Sequence, residues 1–480
     1  MSTAPPPGVR RLASHGIAYV AGTALQGVGI LLVTPFITRT LSRDGYGQVS
    51  AALVAIQLVG TVVAAGLPQV ILREHHRRDD GGRGARALAG VMFLGAGTLC
   101  VLAGGFAAVG GLAGAETGSA PLVVVGAGAL TGVVAGQSLM RAQARPGRFL
   151  AISFLATVVA QSGGLLAARQ APTPSAFLLA YDVLLLAAAV LAALLTRPIW
   201  PGREAEAVRQ GLRLAAPLLP HAVAMLVLLM GDVLVVLVVL GSASVAEYQV
   251  ALLFGNMPFV LTTALVNAWA PAVFARPAAE RWAWTARTGA ALALVVAAGA
   301  ATLALPAPWL AAIAAPASFD RPVIVVLVAI MVAVGPAYLL YNGSSLALID
   351  GAATGRLAWA AVAAATTLVL LAGLGASVAG VRGVAVARLA GYLVLSVVTA
   401  VMARRHGLHW GARPVLAVTV LTALVALGAG ALLPVSGAGA TVRLAVLAGL
   451  AAAAGTAVVV AARRHGDGLW NAVRRRNSPT

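Results

Sequence analysis

Lysine is absent from the 480 residues, so all 33 basic positions are arginine. Cys100 is the single cysteine, which excludes an intramolecular disulfide framework and any cluster of cysteines around a metal. It lies in an apolar run and reads as a small buried side chain. Charged residues make up only 10% of the chain and aromatics 5%. An ordinary soluble domain carries about 25% charged residues, so that class is excluded. Long polar stretches are missing as well: the widest break between apolar runs is 196–213, too short to fold by itself. No Ser/His/Asp set, zinc-ligand spacing or phosphate-binding glycine loop is present, so no cofactor or metal is expected.

What fills the chain is alanine, leucine, valine and glycine. The sequence is 60% hydrophobic, with a mean hydropathy of +0.94. Its apolar runs are about 20 residues long, which at about 1.5 Å per residue matches the roughly 30 Å hydrocarbon layer of a bilayer. Polar alternation over about 10 residues, the mark of a membrane β-barrel, does not occur. The expected fold is therefore all-α and polytopic. About 14 spans are predicted, at 16–36, 47–72, 87–114, 121–140, 149–168, 176–195, 214–240, 248–275, 289–313, 322–348, 357–377, 384–402, 415–434 and 444–462. Arg10 and Arg11 precede a first run too long for a signal peptide and without a cleavage site, so it reads as the first span.

The formal charge of +19 does not imply nucleic acid, because the arginines sit in short loops between spans. About 26 of them fall on one set of alternate loops and both termini. The other set holds Arg39, Arg43, Arg169, Arg321, Arg382 and Arg443, with Arg388 just inside a span. By the positive-inside rule the first set and both termini are cytoplasmic. The expected place is the inner (cytoplasmic) membrane.

The 196–213 linker divides a weak repeat. Pro68 and Arg73 in the second span share one offset with Pro271 and Arg276 in the eighth. An offset of six helices keeps orientation, so the two copies are related by an axis along the membrane normal. The expected organisation is an N-terminal six-helix lobe (1–195), the linker, a second six-helix lobe (214–405), and two more helices with a basic tail (406–480).

Expensive residues single out 212–276. Asp232 lies about 12 Å from the end of its span, too deep for easy snorkelling. His221, eleven residues earlier, falls within about 20° of the same helix face, so both can line one cavity at different depths; a structural cap or packing role is the alternative for His221, and hydrogen bonds to neighbouring hydroxyls or a structural pair with an arginine for Asp232. Asp182 and Arg388 lie in the same half of the membrane on the sixth and twelfth spans. They are expected either to join in an ion pair between lobes or, for Arg388, to snorkel to the surface. Pro271 leaves the carbonyl of Asn267 without its helical donor, which makes a kink suited to a polar cavity or a purely structural one. Pro68 is expected to free the Ala64 carbonyl likewise. Arg39, Arg43 and Asp44 form an outer loop suited to a diphosphate, or simply solvated. The Asp79–Asp80 pair is weak as a metal site.

Motif order carries a resemblance. TPFITRTLSRDGYGQ, AAPLLPH followed by Asp232, EYQVA, ALVNAWAPAVF and VRGVAVARLAGYLV, spread over residues 10–405, resemble the polysaccharide flippases of the multidrug/oligosaccharidyl-lipid/polysaccharide exporter superfamily. The sequence is similar to the Wzx-type members, which move undecaprenyl-diphosphate-linked oligosaccharides. The resemblance implies two six-helix lobes around a cavity, alternating access and two extra helices. It also implies a polyprenyl-diphosphate-linked glycan as substrate, with polysaccharide polymerase machinery as a partner. On it, Arg39, Arg43, His221, Asn267 and Arg388 are the candidate substrate-binding residues. Asp232, with Asp182 second, is the candidate site for coupling to H+ or Na+. The absence of lysine departs from the family and leaves arginine to do its cationic work. A drug/cation antiporter of the same superfamily is the nearest alternative, although few aromatics are available for its cavity. A membrane glycosyltransferase or O-antigen ligase is the enzyme alternative, and it lacks the sizeable outer loop such chemistry uses.

Overall fold

The computed structural model describes residues 30–449 except 65, 78–80, 113–117, 411–420, 423, 426–427, 429–432 and 434–435. Residues 1–29, Asp79, Asp80, Glu116, most of the span expected at 415–434, and 450–480 thus lie outside the described residues. Among the described residues there is helix and no strand. Among the described residues, ten helical stretches are long and apolar enough to cross a membrane. Their outer surfaces are apolar: Val101 is 74% exposed and Val238 83%. Such surface is stable against lipid and costly in water. The protein is an all-α, multi-pass membrane protein.

The N-terminal half contains α1 (Ile30–Thr40), α2 (Arg43–Ala64), α3 (Leu67–Arg77), α4 (Arg83–Leu112), α5 (Ala120–Ala142), α6 (Pro146–Gln170) and α7 (Pro174–Thr196). The connecting segment carries α8 (Ala205–Ala215). The C-terminal half begins with α9 (219–240), α10 (Ser242–Gly255), α11 (Met257–Phe274) and α12 (Ala278–Ala304). It continues with α13 (Ala307–Ala314), α14 (Arg321–Met331) and α15 (Val334–Asp350). The 51-residue helical stretch Thr354–Arg404 is a hairpin of α16 (354–378) and α17 (381–404), reversed at Ala379 and Gly380, where the Gly380 φ is 59°. A short α18 (Ala438–Gly449) closes the described chain. Arg443 on it donates to the carbonyl of Leu305 at 2.7 Å, beyond the end of α12.

Four predicted spans are interrupted. The second is divided at Gly66, whose φ is 72°, the eighth at Asn256 between α10 and α11, the ninth between α12 and α13, and the tenth between α14 and α15. This corrects the expected match of Pro68 with Pro271. Pro68 occupies the first turn of α3, where no helical donor is needed. Pro271 stays inside α11.

Helix α5 packs against α2, α4 and α7 within the N-terminal half. In the C-terminal half α17 packs on α9 and α15. The halves meet along α2 and α10. There Gly47 is indispensable: a Cβ on it would lie 1.7 Å from the Ser242 carbonyl oxygen. The connecting segment docks on the N-terminal half, with Ile199 N donating to Arg86 O at 3.3 Å and Arg83 pairing with Glu204 at 2.7 Å.

Candidate functional site

Helix α9 is not a regular α-helix. A π-turn at Val227–Gly231 interrupts it directly before Asp232. Such turns hold one extra residue and leave backbone groups open to outside partners. Here the Leu229 carbonyl, within the turn, accepts from Arg388 Nη1 of α17 at 3.0 Å. The same Nη1 donates to Asp232 Oδ2 at 2.7 Å. Arg388 Nη2 donates to Asn256 Oδ1 at 2.8 Å, so one guanidinium bridges the π-turn of α9 and the break between α10 and α11. Tyr248 Oη, on α10, donates to Asp232 Oδ2 at 2.6 Å. The second carboxylate oxygen, Oδ1, accepts from the backbone N–H of Val233 at 3.1 Å. The Arg388 guanidinium also lies 5.6 Å from the centre of the Tyr392 ring.

Asp232 is 0% exposed and Arg388 1%. Two ions this far from water are tolerated only when paired and hydrogen-bonded, as these are. Arg388 therefore does not snorkel, and its ion pair lies within the C-terminal half rather than between halves. The π-turn also affects His221. One inserted residue rotates the remainder of the helix by about 100°, which takes Asp232 off the stripe expected to carry both. His221 is half-buried, faces the backbone of Leu357, and has no hydrogen bond to its Nδ1 among the described residues.

Asp182 on α7 has the opposite surroundings. It is 2% exposed, and neither carboxylate oxygen has a hydrogen-bond partner among the described residues. It makes no ion pair there. Gly126 of α5 is what admits it, since a Cβ at that position would fall 2.6 Å from Asp182 Oδ1.

A third cluster joins the halves. Arg43 Nε lies 2.5 Å from Glu247 Oε1, so Arg43 is bound to the C-terminal half rather than free in a loop. Ser242 Oγ donates to Asp44 Oδ1. Glu247 also accepts from the Asp320 N–H at 3.2 Å, and Thr38 Oγ1 donates to Ala314 O at 2.7 Å. The Tyr46 and Phe319 rings are 6.1 Å apart. Arg39 is exposed and turned back on its own helix, with Nη1 donating to Pro35 O at 2.6 Å. Asn267 is exposed on α11. Sequence reasoning gave no role to Tyr248, Glu247 or Ser242. Tyr248 and Glu247 stand in the EYQVA segment, but alternation of apolar and polar residues does not reveal a partner on another helix. Among the described residues no group of three or more metal-ligating side chains exists.

No protein-family model matches the sequence, and no curated protein does. The fold does match solved structures. Lipid II flippase MurJ in an inward closed conformation superposes with a TM-score of 0.62 at 10% identity, covering 92% of this chain and 100% of that one. An inward-facing multidrug resistance MATE family transporter of the MOP superfamily gives 0.57 at 15% identity, over 79% of this chain and 94% of that one. An outward-facing transporter of the same description gives 0.54 at 16% identity, over 83% and 95%. At these identities the fold is what is shared.

Proposed function

We propose that this protein is a flippase that moves a polyprenyl-diphosphate-linked oligosaccharide across the cytoplasmic membrane by alternating access. One observation carries the proposal: the cross-half cluster of Arg43–Glu247 and Asp44–Ser242. It joins the N-terminal parts of α2 and α10 by polar contacts, with Arg43 partly open to the outside and Glu247 buried. Behind it the halves share one buried apolar cluster, with Val49 and Ala52 of α2 beside Val245 and Leu252 of α10, so the polar contacts at the tips are the part of the junction that can part first when a gate opens. The fold it shares with a lipid II flippase supports this reading, as does the motif order in the sequence.

In this proposal the Arg43 end faces outwards, following the arginine distribution, and the two halves act as lobes. Opening separates Arg43 from Glu247 and leaves the guanidinium available to the emerging diphosphate, together with Arg39. His221 and Asn267 line the path. Arg388 is held by Asp232 and Asn256 and serves the lobe rather than the substrate. The pivot is the turn at Ala216–Leu218, because the chain before it is docked on α4. For the ion, we assign the larger role to Asp182. A buried carboxyl with no countercharge is most stable with H+ or Na+ bound, while Asp232 already has its cation in Arg388.

A drug/cation antiporter is the second reading, favoured by the likeness to the MATE transporters. Vesicles containing the purified protein separate the two. The proposal expects movement of a labelled lipid-linked glycan without nucleotide, and no ethidium transport. Ethidium transport with no glycan movement would replace it by the antiporter.

A further inference from the structure

The inner ends of α16 and α17, by the orientation proposed above, form a groove of about 430 Å³. It is lined by Arg356 and Trp359 of α16 and by Val401, Met402 and Arg405 at the end of α17. Trp359 is 74% exposed and Val401 54%, so the groove presents apolar surface to the membrane. Both arginines stand nearer the helix ends than these residues, Arg356 in the first turn of α16 and Arg405 directly after α17. Neither has an ion pair or side-chain hydrogen bond among the described residues. The nearest acid in sequence, Asp350, is already engaged, accepting from Arg281 Nη1 at 3.0 Å through both of its oxygens.

We infer that this groove is a binding site for an anionic phospholipid. Two guanidiniums with no ion pair among the described residues, at the end of an apolar slot, match a phosphate followed by acyl chains. Arginine's planar fork suits phosphate oxygens, and tryptophan is at home at the headgroup level. The phospholipid is preferred to the transported lipid because no residue lining the groove belongs to α2 or α10, the helices along which the halves meet. The phosphate would sit between Arg356 and Arg405, and the first methylenes against Trp359, Val401 and Met402. A lipid held there ties the start of α16 to the end of α17. The inference rests on the membrane fold and not on the proposed substrate, so either can fail alone.

Native mass spectrometry of the full-length protein in detergent, with phosphatidylglycerol or phosphatidylcholine added, tests it. The Arg356→Gln/Arg405→Gln double variant should bind phosphatidylglycerol about tenfold more weakly than the parent, as expected for losing charge-assisted phosphate contacts. Phosphatidylcholine binding should be equal in both. Arg404→Gln, which removes the same charge just outside the groove, should behave as the parent. The two single variants give the same comparison if the double variant folds poorly, and an unchanged melting temperature in phosphatidylcholine shows that folding is intact. Equal phosphatidylglycerol binding by parent and double variant would overturn the site. An equal loss in Arg404→Gln would reduce it to general surface charge. Displacement of phosphatidylglycerol by equimolar undecaprenyl phosphate would overturn the choice of occupant.

Discussion

Asp232 and Asp182 are the same side chain on apolar helices, and both are cut off from water, at 0% and 2% exposure. Their surroundings differ in every other respect. Asp232 meets a guanidinium, a phenol and a backbone N–H. Asp182 meets a glycine, with no partner on either oxygen among the described residues. The first aspartate is neutralised from within the protein. The second, by this account, is neutralised by whatever small ion reaches it. Burial by itself does not make a coupling site; the deciding factor is whether the countercharge is covalently part of the chain.

The sharpest way to break this comparison is to remove one half of the Asp232 pair. Arg388→Met leaves a buried carboxylate alone, and loss of one member of a buried pair costs about 3–5 kcal/mol. The variant should melt far below the parent in detergent. The double variant Asp232→Asn/Arg388→Gln should recover most of the loss, because no net charge remains. Singles as stable as the parent would show that the pair is not a structural clamp.

A smaller loss is expected from Asn256→Ala, which removes the acceptor of Arg388 Nη2. A hydrogen bond to a charged group is worth about 1.5–3 kcal/mol. The fall in melting temperature should shrink when Arg388 is already replaced by Gln. Strictly additive losses would mean that Asn256 acts on the helix break alone.

The smallest effect on stability, and the largest contrast in function, belongs to Asp182→Asn. An amide resembles a protonated carboxyl in size and charge, so stability should stay within about 1 kcal/mol. Ion-dependent transport should nevertheless be lost. If Asp182→Asn retained its ion dependence while the stable Asp232→Asn/Arg388→Gln double variant lost it, the two aspartates would exchange roles.

Hydropathy made the spans from α2 through α17 legible because lipid imposes one rule on every helix that crosses it. The interruptions were harder. Proline marked 68 and 271, and Pro258 stands in the first turn of α11 beside the break at Asn256; what the sequence does not show is that the Asn256 amide accepts from Arg388, 132 residues away. Asp232 and Arg388 were both visible as costly residues in the same half of the membrane. A structural pair of Asp232 with an arginine was one alternative the sequence left open, but it did not show which arginine, because periodicity on one helix says nothing about which other helix it touches. The π-turn at Val227–Gly231 was illegible for a related reason: all five residues are apolar or glycine, and it is the guanidinium from α17 that satisfies the opened backbone. Arg43 stood out as a loop cation, while Glu247, its partner 204 positions later, looked like an ordinary helix-start acid.

Alternating access through the α2–α10 gate is tested most directly by a reversible cross-link. Asp44→Cys and Ser242→Cys, introduced after replacing Cys100, put two thiols where the side chains now share a hydrogen bond. Transport of labelled lipid-linked glycan into vesicles is then measured before oxidation, after it, and after reduction. The account predicts that oxidation stops transport and reduction restores it. Transport that continues at the same rate with the gate cross-linked would contradict it.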